Sequence, residues 1–249
     1  MLKYHLLALW GARRESAEQC ARRAARFLQC LGECDELFAT WFDTGRSHKD
    51  ALRRQVMPEV DPGRLTRLMS QGRNRRDADG SVIEELGFTV GLWTGGNSSD
   101  AASLILSCGG FAPTPADTNS NACHLRLPDE GRNVDRVLRV EVLESVMHCV
   151  VAALEPAWAV FDCDTLRDLV PRSPRDRQWV GWLTYLTIPP SAVPELPAAS
   201  RVVPAGENGS LIVATDERFD AENASQVEVV REITRILDQA SLLQSIRHW

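Results

Sequence analysis

Between Leu86 and Cys108 the chain reads LGFTVGLWTGGNSSDAASLILSC, and this stretch restricts the available folds more than any other. Phe88, Val90 and Leu92 alternate with small or polar residues. A Gly-Gly-Asn-Ser-Ser run follows, and then Leu104, Ile105 and Leu106. A period of two beside a cluster of turn formers describes two strands joined as an antiparallel pair. The pair is expected at the centre of an N-terminal sheet that the other elements pack against.

The flanking segments supply those elements. Lys3 to Trp10 reads as a strand, and Ser16 with Gln19 makes a capping box for a helix from about Ala17 to Leu31. Cys20, Ala24, Phe27, Leu28 and Leu31 form one apolar stripe on that helix, with Arg22, Arg23 and Arg26 outside it. Leu37 to Phe42 is expected as a strand closed by Asp43-Thr44-Gly45, and Asp61-Pro62 as a helix start with Leu65, Leu68 and Met69 on its apolar side. Arg73 to Gly80 reads as an exposed polar loop. After the central pair come a loop with Pro113, Pro115 and Asn119, a strand over Ala122 to Leu127, and one long helix from Val134 to Leu154 ended by Pro156.

Strands then resume: Trp158 to Cys163, Trp179 to Ile188, Arg201 to Val203 and Leu211 to Thr215. A final helix is expected near Ser225, with a capping box to Glu228, burying Val230, Ile233, Leu237 and Ala240. Adjacent strands mixed irregularly with helices indicate an α+β fold with mainly antiparallel sheets. The pattern suggests two sheet-plus-helix halves, open-faced sandwiches over residues 1–155 and 156–249, or one compact unit.

At 249 residues the chain can bury a substantial core, and 44% hydrophobic with 25% charged residues is ordinary for a globular protein. A net charge of -6 argues against a nucleic-acid binder that works by neutralising phosphates. The 7 cysteines are odd in number, show no CxxC pair and fall largely on apolar faces, so free thiols in a reducing compartment are expected. The N-terminal apolar run is interrupted by His5 and followed by Arg13-Arg14, and no later run has the length of a membrane span. The expected location is cytoplasmic, with no membrane partner.

Several patterns suggest chemistry and fall short of it. Gly91 to Ser98 matches a phosphate-binding loop except that Asn97 stands where the lysine belongs, so a nucleotide-binding α+β enzyme on this loop is the alternative reading rather than the main one. Cys108 with His124 or His148 is a weak nucleophile–base pairing, and Ser107 lacks the nucleophile-elbow glycine because position 105 is Ile105. Glu144 and His148 stand one helical turn apart, more in keeping with a solvated pair than with a metal site. Arg64, Arg67, Arg73, Arg75 and Arg76 form a basic cluster, but Asp77 and Asp79 lie beside it and no aromatic platform is interleaved. No catalytic residue, cofactor or metal ligand emerges.

An ordered set of short patterns resembles the immunity protein 52 family of bacterial polymorphic-toxin systems. It comprises the aromatic N-terminal strand with its Ser-capped helix, Phe88-Thr-Val-Gly-Leu-Trp93, Leu104-Ile-Leu-Ser-Cys-Gly109, Leu125-Arg-Leu-Pro128, Glu155-Pro-Ala-Trp158 and Gly181-Trp-Leu-Thr-Tyr-Leu186. The resemblance implies a non-enzymatic antitoxin. Such a protein binds a cognate nuclease toxin with a restriction-endonuclease-like domain, delivered by type VI secretion, and protects the producing cell. It transfers no contact residues. An acidic inhibitor suits a toxin that itself attracts phosphate, because opposite charge speeds encounter. The acidic loops are therefore the expected contacts: Asp77, Asp79, Glu84 and Glu85, and Asp216, Glu217, Asp220 and Glu222.

Overall fold

The computed structural model describes residues 3–44, 48–58, 63–112, 121–170 and 178–246. Ten strands form one sheet: β1 Tyr4–Trp10, β2 Trp41–Asp43, β3 Gln55–Met57, β4 Phe88–Trp93, β5 Ser103–Cys108, β6 Asn121–Arg126, β7 Trp158–Cys163, β8 Leu183–Leu186, β9 Arg201–Ala205 and β10 Gly209–Val213. Their order is β3-β2-β4-β5-β6-β1-β7-β8-β10-β9. Neighbours are antiparallel throughout, as the α+β reading requires. The break between halves at Glu155-Pro156 falls within one continuous sheet, because β1 pairs with β6 on one side and β7 on the other.

The helices are α1 Ala17–Cys34, α2 His48–Ala51, α3 Arg64–Gln71, α4 Val134–Val137, α5 Val140–Leu154, α6 Leu166–Leu169 and α7 Ala224–Gln239. Helix α1 begins as expected: the Ser16 and Gln19 side chains each accept from the other's backbone N–H, and the whole apolar stripe is buried. Helices α1 and α3 lie on the sheet face that carries Cys108, whose thiol meets Met69 of α3 at 3.8 Å, and α5 runs beside α1. On this face Leu6, Ala8, Leu104, Leu106, Cys123 and Leu125 are at most 1% exposed.

The other face differs along the sheet. In the C-terminal half β7, β8 and β10 are buried on both sides. Trp179 stacks edge-on against Trp158 at 4.4 Å, and the Gln178 N–H bonds the Gln244 carbonyl, so the chain doubles back over the strands here. In the N-terminal half the face is open, and Ile105 is 51% exposed beside His124 and Arg126.

Several elements depart from their expected bounds. The central pair and the strands after it, apart from Trp179 to Ile188, appear within a residue or two, but Leu37 to Phe42 is not a strand throughout. The Asp35 side chain accepts from the Leu37 N–H and starts a 3-10 turn over Glu36–Phe38, leaving only Trp41–Asp43 extended. The helix expected over Val134 to Leu154 breaks at Leu138 and Arg139, where Arg139 is extended and lets the helix restart with Val140 buried. Trp179 to Trp182 is buried without being strand; the Gly181 N–H bonds Thr184 Oγ1, and pairing begins at Leu183. The cap of α7 is Asn223 rather than Ser225, and Ala240 is exposed while Val230, Ile233 and Leu237 are buried. Gly45, Asp61-Pro62, the 113–119 loop and Trp249 lie outside the described residues.

Free thiols were expected throughout, yet Cys30 and Cys149 form a disulfide. Facing stripes of α1 and α5 bring their Cα atoms to 5.6 Å, within reach of the bond, while 119 residues separate them in sequence. Cys20, Cys34, Cys108, Cys123 and Cys163 are free.

Candidate partner-binding site

Trp10 ends β1 at the corner of the sheet where β4 begins and β5 ends, and the loops at that corner are tied by one buried amide. Asn121, 2% exposed, donates to the Gly11 carbonyl at 2.7 Å and the Gly110 carbonyl at 3.1 Å, and accepts from the Gly110 N–H at 2.8 Å. Every one of these loop groups is thereby satisfied away from water. The Arg13 N–H closes the corner on the Gly110 carbonyl at 2.8 Å.

A partly buried ion network stands behind it. Glu15 accepts from Arg23 at 2.6 Å and faces Arg13 at 3.4 Å, and both arginines also reach Glu155, at 3.1 Å and 3.0 Å. Arg13 donates to the Leu154 carbonyl and Arg23 to the Ala153 carbonyl, satisfying the C-terminus of α5 where cations are favoured. The sequence placed Arg23 simply outside the apolar stripe; its partner Glu15 is eight residues back, a spacing with no helical signature.

A cleft of about 370 Å³ opens in front of this corner, lined by Arg14, Ser16, Gln19, Arg73, Glu84 and Phe111 among others. The Arg14 guanidinium lies 4.7 Å over the Phe111 ring and that of Arg73 5.8 Å over Phe88. Its floor depends on Gly87, where the chain turns with φ +63. The recess is mixed in charge and edged by aromatic rings.

The first acidic group lies on the loop beside this cleft. Glu84 lines it, and Glu85 is exposed next to it, with its carbonyl taking the Phe111 N–H at 2.8 Å. Asp79 accepts from the Ser81 hydroxyl at 2.6 Å and N–H at 2.9 Å, and the hydroxyl bond foremost lowers its pKa. Asp77, Glu84 and Glu85 have no cationic partner among the described residues, although Arg73, Arg75 and Arg76 share the loop.

The second group is elsewhere and mostly engaged. Asp216 pairs with Arg201 at 2.7 Å, and Arg201 also holds Glu144. Glu217 accepts from Gln226, and Asp220 accepts from the Glu222 N–H at 2.9 Å. Asp220 and Glu222 edge a shallow depression with Tyr4, Arg218 and Phe219. Tyr4 starts β1 and Trp10 ends it, so the depression and the cleft lie toward opposite ends of a strand about 20 Å long. The fold does not bring them together.

The suspected chemistry is also dispersed. Cys108 points to the helical face and His124 to the open one, because β5 and β6 pair Leu106 with Cys123 and Ile105 with His124. Gly95 and Gly96 turn the chain from β4 directly into an antiparallel β5, so the glycine loop does not open a helix and cannot cradle phosphate as such a loop does. Among the described residues no cluster of three or more His, Cys, Asp or Glu could hold a metal ion, and no helix is long and apolar enough to cross a membrane.

The family model described as immunity protein 52 matches residues 3–246. Among solved structures the fold is similar to that of "Pseudomonas aeruginosa T6SS protein PA0821", with a TM-score of 0.54 and 12% sequence identity, over 94% of this chain and 73% of that one. No curated protein matches the sequence.

Proposed function

For a chain that belongs to the immunity protein 52 family, we propose that the partner is a cognate secreted nuclease toxin, bound and neutralised in the cytoplasm of the producing cell. The observation that carries this reading is the family match, which runs through nearly every element of the sheet. A fold shared with a protein named for type VI secretion supports delivery of the toxin by that route. The net charge of -6 supports a basic partner, whose binding an acidic surface accelerates.

The contact we favour is the cleft at the Trp10 end of β1 with the Asp77–Glu85 loop. Asp77, Glu84 and Glu85 make no ion pair among the described residues, whereas Asp216 is already paired with Arg201. No catalytic step is assigned to this chain: inhibition is stoichiometric, by occupying the toxin.

The test is co-expression with a candidate cognate toxin. Survival of the host, co-purification of the two chains and loss of nucleic-acid cleavage by the purified toxin are expected. A toxin that kills and cleaves unchanged with this protein in excess ends the reading. A toxin that is neutralised but attacks something other than nucleic acid removes only the nuclease assignment.

A further inference from the structure

Three sulfurs meet where α1 lies against α5. Cys30 and Cys149 are bonded, and Cys34, one turn beyond Cys30 on α1, holds its Sγ 3.6 Å from that of Cys149. A disulfide sulfur carries no proton, so in this contact the Cys34 thiol is the donor. The same thiol lies 3.4 Å from the Cys30 carbonyl oxygen, which keeps it over the bond. Cys34 is also the one free cysteine among the described residues that is not fully buried.

We propose that these residues form a thiol–disulfide exchange site in which Cys149 is shared between Cys30 and Cys34, so that the protein exists as two linkage isomers. Cys34 first gives its proton to solvent. Its sulfur lone pair attacks Cys149 Sγ, a Cys34–Cys149 bond forms, and the Cys30–Cys149 bond breaks with its electron pair leaving on Cys30. Cys30 then takes up a proton. One disulfide and one thiol are present before and after, so neither an oxidant nor a reductant is needed.

The geometry favours this pair over others. Residues four apart on a helix lie on one face, about 5–6 Å apart, so both thiols address the same sulfur across the interface. Burial foremost, then the charges of Glu33 and Asp35, push the Cys34 thiol up to about 11. The thiolate is therefore scarce near neutrality and exchange is slow, on the scale of minutes to hours. Its product moves the cross-link from the interior of α1 to its last residue. That places it next to Asp35, which pairs with Arg136 at 2.9 Å and begins the following turn.

The experiment uses the full oxidised chain, diluted to suppress intermolecular exchange, held for hours at neutral pH, quenched with acid and alkylated without reduction. Cleavage after Glu33 separates Cys30 from Cys34, so the linked peptides are distinguishable by mass. Both Cys30–Cys149 and Cys34–Cys149 peptides are expected, with label lost from Cys34 matched by label gained at Cys30. Cys34→Ser should abolish the second linkage and leave the first. Cys30→Ser, oxidised with diamide and checked for helix content, should form Cys34–Cys149. Complete labelling of Cys34 with none at Cys30 in the wild-type chain overturns the proposal, even if Cys30→Ser pairs, since that would show proximity without exchange.

Discussion

Two residue-level features make sharp demands on the chain. At Gly87 the backbone is left-handed, and an added Cβ would sit 2.3 Å from the Cys108 carbonyl oxygen and 2.6 Å from the Gly110 nitrogen. Gly96 is equally left-handed, with nothing within 4 Å of such a Cβ. Gly96→Ala should therefore cost only the conformational penalty, about 1 kcal/mol, whereas Gly87→Ala adds a backbone clash at the floor of the cleft and should cost several times more. Denaturant unfolding of the two variants checks this, and equal losses would show that the corner relaxes. The histidines make a second prediction. Burial foremost, and then the neighbouring His124, lower the pKa of His5, while Asp164 at 3.3 Å opposes them; burial likewise lowers His124. Below the ordinary histidine value of 6.5 the unfolded chain takes up protons that the folded chain refuses, so stability falls as pH drops through 6.5 until the folded pKa is reached. The melting temperature should decline as the pH falls below about 6.5, above the range of most carboxylates, and His5→Gln should flatten the decline. An unchanged slope in that variant would remove His5 as the cause.

Among the elements, the α1–α5 interface is the one with a covalent tether. It closes a loop of 119 residues, and the chain-entropy treatment assigns it at most about 5 kcal/mol. Reduction, or Cys149→Ser, should lower the melting temperature by several degrees without unfolding the protein, because Phe27, Leu28, Leu31, Leu143, Val146 and Val150 remain buried on the two helices. Scanning calorimetry with and without reductant measures it; coincident curves would mean that packing alone fixes the helices. The elements also show what sequence reading reaches. Period-two alternation at Phe88–Leu92 and the Ser16–Gln19 box are local devices, and both appear as read. Trp179–Trp182 looked like strand because its residues are apolar, but Trp179 covers Trp158 and Trp182 packs against Tyr4 and Phe161, ahead of the strand that starts at Leu183. Composition cannot separate the two uses. The disulfide was illegible for the same reason, since nothing local to Cys30 or Cys149 records the contact between their helices.

On the scale of the whole molecule, charge is distributed rather than concentrated. Of the carboxylates expected to meet a partner, one group flanks the cleft and the other is bonded at the far end of β1. Replacing Asp77, Glu84 and Glu85 by Lys should slow association with the toxin roughly tenfold at low salt and flatten its salt dependence. The same change at Glu217 and Glu222 should have a smaller effect on the rate. Stopped-flow association across a salt series decides between the ends, and a larger effect at the second end would relocate the interface. The candidate site was only half legible: the acidic loop shows in the sequence, but the corner behind the cleft is held by Asn121 reaching Gly11, 110 residues away, as well as Gly110. The order of the sheet has its own effect on how the chain is made. β1 lies between β6 and β7, which follow it by more than a hundred residues. At ordinary elongation rates roughly ten to thirty seconds pass before the ribosome has delivered both. During that interval HLLALW has two unsatisfied edges even though α1 follows it at once, so slower translation, or a shortage of holding chaperones, should lower the yield of native protein.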